Sequence, residues 1–213
     1  MSNASDPRPF VLGLAGGSGS GKTTLLEELT ERIAGLEPAT LHHDDYYRDQ
    51  TERSSTERAA VNYDSLDALE STLLAEQLRD LVEGRPIQAP LYCFEQHTRK
   101  PEVRSVAPSR VILVEGILLF AEPALTRLFD VRVFVDAPSS TRVVRRMRRD
   151  VAHRGREPEQ VCDQLLDTVI PAHDDLVEPS KEHADLIVSG MADVERTAGL
   201  LEALVIGHLF GSV

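Results

Sequence analysis

At 213 residues, with 41% hydrophobic and 27% charged side chains, the chain has the size and polarity of one soluble α/β domain able to bury a sizeable core. A formal net charge of −12 argues against a general nucleic-acid or membrane-surface binder, so an anionic ligand would have to be held by local cations. Two cysteines, Cys93 and Cys162, fit neither a disulfide framework nor a cysteine metal site, and the expectation is a reducing, cytoplasmic setting.

Residues 1–7 are set aside as a disordered N-terminal tail or an expression remnant, and 8–213 are expected to form one domain. "PFVLGLA" (9–15) is an apolar run ending in glycines and reads as a buried strand. A helix is expected over 21–34, with Leu25, Leu26, Leu29 and Ile33 on one face, followed by a second strand in "PATLHH". Residues 48–63 read as polar and irregular, and "LDALESTLLAEQLRDLVEG" as a helix with an acidic start and a glycine stop at Gly84. The segment 86–106 carries three prolines among β-formers and reads as a small hairpin outside the main sheet. Further strands are expected at 110–120, 131–137 and 184–189, with helices over 139–156, 157–176 and 193–210. Strands alternating with helices predict a parallel sheet covered on both faces.

"GGSGSGKT" (16–23) satisfies G-x-x-x-x-G-K-[ST] between an apolar strand and a helix. Glycines let backbone N–H groups approach phosphate oxygens, and the helix N-terminus adds a favourable dipole. The candidate nucleotide-binding set is Gly16, Gly17, Ser18, Gly19, Ser20, Gly21, Lys22, Thr23 and Thr24. Lys22 would reach the β- and γ-phosphates, and Thr23 would ligate Mg²⁺. Glu115, in "VILVEGI", is expected at a strand's C-terminal end, where ligands of open α/β sheets bind, as a second candidate metal contact.

Such a loop serves several classes. A signalling GTPase would need an N-K-x-D motif and a transporter-type ATPase an L-S-G-G-Q-like signature, and the chain has neither. A small-molecule kinase needs an acceptor pocket, a base and cations for migrating charge. "DDYY" (44–47) offers a base in Asp44 or Asp45, although two tyrosines after a strand also suit plain packing. Between 142 and 156 the chain places seven arginines, with spacing that puts several on one helix face, as a phosphate-facing lid.

The chain resembles uridine kinase (uridine–cytidine kinase) of the P-loop phosphoribulokinase and uridine kinase superfamily. The resemblance rests on "GGSGSGKTT", "DDYYRDQ", "NYDSLDAL", "PLYCFEQHTRK", "VEGILLF", "RRDVAHRGR" and "EPSKEHADLIV", in order over roughly residues 9–205. It implies a three-layer α/β P-loop NTPase/nucleoside kinase fold, with a β-hairpin insertion at 86–106 and an arginine-rich helical lid at 139–176. It also implies transfer of phosphate from ATP or GTP to the 5′-hydroxyl of uridine or cytidine, with Mg²⁺, by a cytoplasmic homotetramer in pyrimidine salvage. No nucleic-acid or membrane partner is expected.

The resemblance makes Asp44 the catalytic base, also near the metal, with Lys22 and Arg146 completing the catalytic set. Tyr47, Asp64, Tyr92, Phe94, His97, Arg146, Arg156 and Gln164 would bind the nucleoside, Asp64 through the ribose hydroxyls. Arg149, Arg154 and Asp193 would face the nucleotide. Three departures stand out: Asp45 where serine is common, Ser65-Leu66 in place of His-Pro, and Ser189-Gly190-Met191 in place of Pro-Arg-Gly. An acceptor other than a nucleoside, as in phosphoribulokinase-like or pantothenate-kinase-like relatives, and a turnover-free nucleotide-binding regulator are the competing readings.

Overall fold

The computed structural model describes residues 8–59 and 61–211, so the expected tail at 1–7 lies outside the described residues. Strands β1 (Phe10–Ala15), β2 (Ala39–His42), β5 (Val111–Gly116), β6 (Val131–Asp136) and β7 (Leu186–Ser189) form a five-stranded sheet in the order β2-β5-β1-β6-β7. Every pairing in it is parallel. β1 and β5 are buried along their whole length, as their unbroken apolar runs require when helices cover both faces.

Side-chain alternation sorts the core into two halves. On one face Val11, Ile112 and Val114 pack with Leu74, Leu78 and Leu81 of α3 (Ser71–Val82). On the other, Leu12, Leu14 and Leu113 pack with Leu25, Leu26 and Leu29 of α1 (Lys22–Arg32) and with Leu201 and Val205 of α9 (Val194–Phe210). The helices at 139–156, 157–176 and 193–210 and the strands at 9–15, 131–137 and 184–189 appear with shifted ends.

Three expectations change. The strand expected over 110–120 stops at Gly116, because the next residues turn inward and bury Leu118, Leu119 and Phe120 in the core. A helix starting at 66 does not form, since Leu66–Ala68 is a 3₁₀ turn and Leu69 bridges Tyr47. Backbone groups there are committed elsewhere: Arg48 N–H donates to Ala68 O at 2.9 Å and Glu70 N–H to Tyr46 O at 2.8 Å. The irregular 48–63 segment contains a short helix, α2 (Ser55–Ala59).

β3 (Ile87–Cys93) and β4 (Thr98–Val106) pair antiparallel as a separate two-stranded sheet, with an irregularity between Pro90 and Tyr92. One face of this hairpin still joins the core through Ile87, Ala89, Tyr92 and Val106. Arg99 fastens it to the turn after β2, donating to Tyr47 O at 2.8 Å and Tyr46 O at 3.2 Å while pairing with Glu70 at 2.7 Å.

Beyond the short α4 (Pro123–Thr126), α5 (Ser139–His153) is followed by a helical rod that runs past 176 to His183. α6 (Pro158–Gln164), α7 (Ile170–Ala172) and α8 (Glu178–Ser180) are separated by two wide π-turns, Leu165–Val169 and His173–Val177. Each π-turn contains the carbonyl four residues before a proline, Pro171 or Pro179. Widening the turn relieves the clash and the missing N–H that a proline brings to a regular helix. Val161, Leu165 and Val169 bury against Val143 and Met147, tying the rod to α5. Among the described residues no helix is long and apolar enough to cross a membrane.

Gly116 is the tightest joint between the sheet and the turn after β2. A Cβ there would stand 2.5 Å from His43 Cβ and 3.1 Å from Leu119 Cγ. Gly116→Ala is expected to destabilise the fold by about 1–3 kcal/mol, as overpacking does, and to lower the melting temperature by about 2–10 °C. An unchanged thermal transition would contradict this.

Candidate functional site

The loop between β1 and α1 depends on glycine at two points. Gly16 (φ +147°) and Gly19 (φ +78°) lie in the left-handed region, and a Cβ on either would sit 2.4 Å from a carbonyl oxygen, of Val135 and Arg142 respectively. α1 begins with no side-chain cap and no acid in its first turn. Its first N–H groups and dipole are therefore left for an anion. Arg145 braces the loop from outside, donating to Gly190 O at 3.0 Å and Ser20 O at 3.3 Å.

Two neighbouring strand ends supply the acids. The register pairs His42 with Glu115, and His42 Nδ1 donates to Glu115 Oε1 at 3.0 Å. Lys22 Nζ lies 3.9 Å from the other carboxylate oxygen, with both side chains buried. Burial opposes the Glu115 charge, but Lys22 and the His42 hydrogen bond outweigh it and hold the carboxyl below its ordinary value. Asp44 lies in a 3₁₀ turn, His43–Tyr46. Burial and then repulsion from Glu115 push Asp44 up, against the pull of Lys22, Arg154 and Arg149. Asp45 is raised by burial and accepts the Tyr92 N–H at 3.3 Å, which turns it toward the hairpin. Beneath them His43 is fully buried, with Nε2 3.1 Å from Ser71 Oγ, and burial takes it down to about 4.

An aromatic wall faces these acids. Tyr47, Tyr63 and Tyr92 pack edge-on or tilted, Tyr92 meets Phe94 at 5.3 Å between centroids, and His97 stacks on Tyr63 at 5.0 Å. The Tyr92 hydroxyl is buried beside Tyr63. Burial, then Arg156 and Arg154, lower His97 to about 4, so it is neutral near pH 7. Arg156 Nη2 stands 3.5 Å from His97 Nε2, and a guanidinium can only donate. Asp64 is buried and accepts from Thr168 Oγ1 at 3.2 Å, with Arg146 Nη1 at 3.8 Å.

One cavity of about 740 Å³ joins the two sides. On the phosphate side it is lined by Ser18, Lys22, Thr23, Thr24, Arg149 and Arg154, and by Asp44 and Glu115 at its floor. Across from them stand Tyr47, Asp64, Tyr92, Phe94 and His97, closed by Arg146, Arg156 and Gln164. Gly16, Gly17, Gly19, Ser20 and Gly21 shape the loop without lining this cavity. Gly21 instead borders a smaller cavity of about 330 Å³ with Arg145, Ser189 and Gly190. Asp193 lines neither; its side chain caps α9 by accepting Arg196 N–H at 2.8 Å.

The chain matches known proteins along nearly its whole length. A model of the "Phosphoribulokinase / Uridine kinase family" matches residues 11–197. The chain belongs to the phosphoribulokinase and uridine kinase family. It is 42% identical over 181 residues to a uridine kinase of Ligilactobacillus salivarius, covering 85% of each chain. It is 41% identical over 198 residues to one of Lactiplantibacillus plantarum, covering 93% of this chain and 95% of that one. Phosphoribulokinase from Rhodobacter spheroides shares the fold at a TM-score of 0.64 and 16% identity, over 85% of this chain and 70% of that one.

In this family member the arginine run does not present a single face. Arg145 grips the loop backbone and Arg148 is exposed, while Arg146 is buried. Arg154 and Arg156 lie beyond the end of α5, on either side of Gly155 (φ +61°). Several cavity-facing or supporting residues had not been singled out: His42, Tyr63, His153, Thr168 and Asp150. Asp150 had a legible signal, being the one acid in the arginine-rich stretch 139–156. His42 had a weaker one, the alternation that points it to the same strand end as Glu115.

Glu115→Gln removes the repulsion that raises Asp44 and frees Lys22 to approach it. The titration midpoint of the Asp44 carboxyl, followed by carbon-13 NMR without nucleotide, is expected to move to lower pH in the variant. A midpoint that stays put or rises would contradict the coupling of these two carboxylates.

Proposed function

We propose that the protein transfers the γ-phosphoryl group of ATP or GTP to the 5′-hydroxyl of uridine and cytidine, forming UMP and CMP in pyrimidine salvage. One observation carries the reading: a single cavity sets a phosphate-binding loop against an aromatic wall, with the Asp44 carboxylate between them. Relatives named uridine kinase, identical at about two positions in five over most of the chain, support the same acceptor.

Asp44 is the base. Its raised affinity for a proton suits it to accept one from the 5′-hydroxyl as the oxygen attacks in line. Lys22 and the glycine-rich loop hold the β- and γ-phosphates, and Arg146, Arg149 and Arg154 stabilise the spreading negative charge. Thr23, Glu115 and Asp44 are the residues that would hold Mg²⁺. Their chemistry fits, since two carboxylates that repel each other line the same cavity as the exposed Thr23. The ion would supply charge neutralisation to the transferring phosphoryl group.

Tyr47, Tyr92 and Phe94 hold the base and sugar by their faces, and neutral His97 reads the pyrimidine edge with Arg156 and Gln164 alongside. Asp64 accepts the ribose hydroxyls, so loss of the 2′-hydroxyl leaves a buried acceptor unpaired, a penalty of about 1–3 kcal/mol. A sugar phosphate acceptor would need cations where the tyrosines stand. Residues 8–213 act as one kinase domain, with the 86–106 hairpin forming the nucleoside pocket and the 139–176 helices its lid, in the cytoplasm as a homotetramer. Asp193, from its position, contributes by holding the start of α9 beside the nucleotide.

The deciding experiment is a coupled ADP-release assay with Mg·ATP and an acceptor panel. Turnover is expected with uridine and cytidine, to be at least about fivefold weaker in kcat/KM with deoxyuridine, and absent with ribulose 5-phosphate, pantothenate or no acceptor. In the same assay Asp44→Asn is expected to lose at least about two orders of magnitude in kcat while still binding nucleotide. Release independent of nucleoside, or Asp44→Asn above a tenth of wild-type kcat (about 1.4 kcal/mol of barrier), would contradict the assignment.

His97→Ala tests the acceptor wall separately. The nucleoside KM is expected to rise about tenfold, the loss of one hydrogen bond and one stacking contact, with the ATP KM changed far less. An equal rise in both would contradict a base-reading role.

A further inference from the structure

One carboxylate in the lid carries four guanidinium groups. Asp150 is fully buried, and its two oxygens face different partners. Oδ1 stands 2.8 Å from Arg149 Nε and 3.3 Å from Arg154 Nη1. Oδ2 stands 3.2 Å from Arg156 Nη1 and 3.6 Å from Arg146 Nε.

The two oxygens lead to opposite ends of the cavity. From Oδ1, Arg149 continues to Ser18 Oγ of the phosphate loop at 3.4 Å. From Oδ2, Arg156 continues to His97 at 3.5 Å and Arg146 to Asp64 at 3.8 Å. Arg156 and Arg146 also donate to the same Gln164 Oε1, at 2.6 and 3.1 Å. A continuous chain of polar contacts thus runs from the phosphate loop to the acceptor wall, and Asp150 is the acid its two arms share.

Asp150 alone does not neutralise the four cations around it, of which only Arg146 is buried and also faces Asp64. Burial and then repulsion from Arg149 bring Arg154 down to about 10. Among the described residues Arg146 Nε has no hydrogen-bond partner, only the longer ionic contact. A phosphate bound at the loop supplies the missing negative charge and draws Arg149 and Arg154 toward itself. The Asp150 charge then falls to Arg156 and Arg146, which fix the acceptor wall.

We propose that Asp150 is a positioning residue that couples the two halves of the cavity, so that nucleotide bound on one side tightens nucleoside binding on the other. The inference rests on the nucleoside kinase reading above. By linkage the coupling is reciprocal, so nucleoside tightens nucleotide binding by the same factor.

The test is calorimetric titration of uridine into the full chain, with and without saturating Mg²⁺ and a non-hydrolysable ATP analogue. Wild-type protein is expected to bind uridine at least about fivefold more tightly with the analogue, the lower end of typical coupling between sites. Asp150→Asn is expected to shrink that ratio to less than about twofold. Asp150→Ser, a smaller substitution that removes the same carboxylate, is expected to lose the ratio in the same way. It decides the matter if Asp150→Asn does not fold, which melting curves establish. Wild type without the enhancement, or either folded variant retaining it, overturns the inference and leaves the kinase reading standing. Wild type that binds no uridine in either state overturns the kinase reading, and this inference with it.

Discussion

Two carboxylates and one ammonium share a buried strand end, and the rest of the site is arranged around that imbalance. Glu115 is held ionised by Lys22 and His42, and its charge in turn pushes the neighbouring Asp44 up. The parallel register of β2 and β5 imposes this proximity, because it brings His42 level with Glu115 and starts the Asp44 turn one residue later. Glu115 lies in β5 and Asp44 in the turn that leaves β2, so the sheet sets where both acids stand. A carboxylate that binds a proton more readily than usual, beside a lysine at the mouth of a phosphate loop, suits a phosphoryl transfer in which a hydroxyl must lose its proton.

The remaining architecture keeps an acceptor near that carboxylate. The hairpin is a separate sheet, yet Arg99 ties it to the Tyr46 and Tyr47 carbonyls and Asp45 accepts the Tyr92 N–H. The aromatic wall and the acidic turn are therefore tied to each other directly. The helical rod closes the opposite side, with π-turns set by Pro171 and Pro179, and it delivers Gln164 to the cavity and Thr168 to Asp64. Cation–π contact between Arg154 and Phe94, at 4.0 Å, joins the lid to the wall.

What the sequence revealed follows the range of the interactions involved. The glycine loop, the buried strands and the closing helix are local patterns, and they stand where the residues placed them. "DDYY" was ambiguous by itself, because packing and chemistry ask for the same residues there; Tyr46 is core packing and Tyr47 lines the cavity. The misjudged segments are those whose local pattern is overruled at long range. Residues 66–70 look helical but give their backbone groups to the Tyr46–Arg48 segment, and 117–120 look like strand but turn into the core. The arginine run hid its division of labour, since helical spacing alone does not say that Arg145 meets a loop, Arg148 meets water and Asp150 gathers four of the others. Seven ordered motifs made the family legible in spite of these gaps.

The most direct test of the account is a crystal structure with uridine and a non-hydrolysable ATP analogue bound together. An Asp44 carboxylate oxygen is expected within about 2.6–3.2 Å of the uridine 5′-oxygen, with the γ-phosphate on the far side of that oxygen and the ribose hydroxyls on Asp64. A nucleoside seated with its 5′-oxygen away from Asp44, or facing Asp45 instead, would contradict the placement on which every proposed role depends.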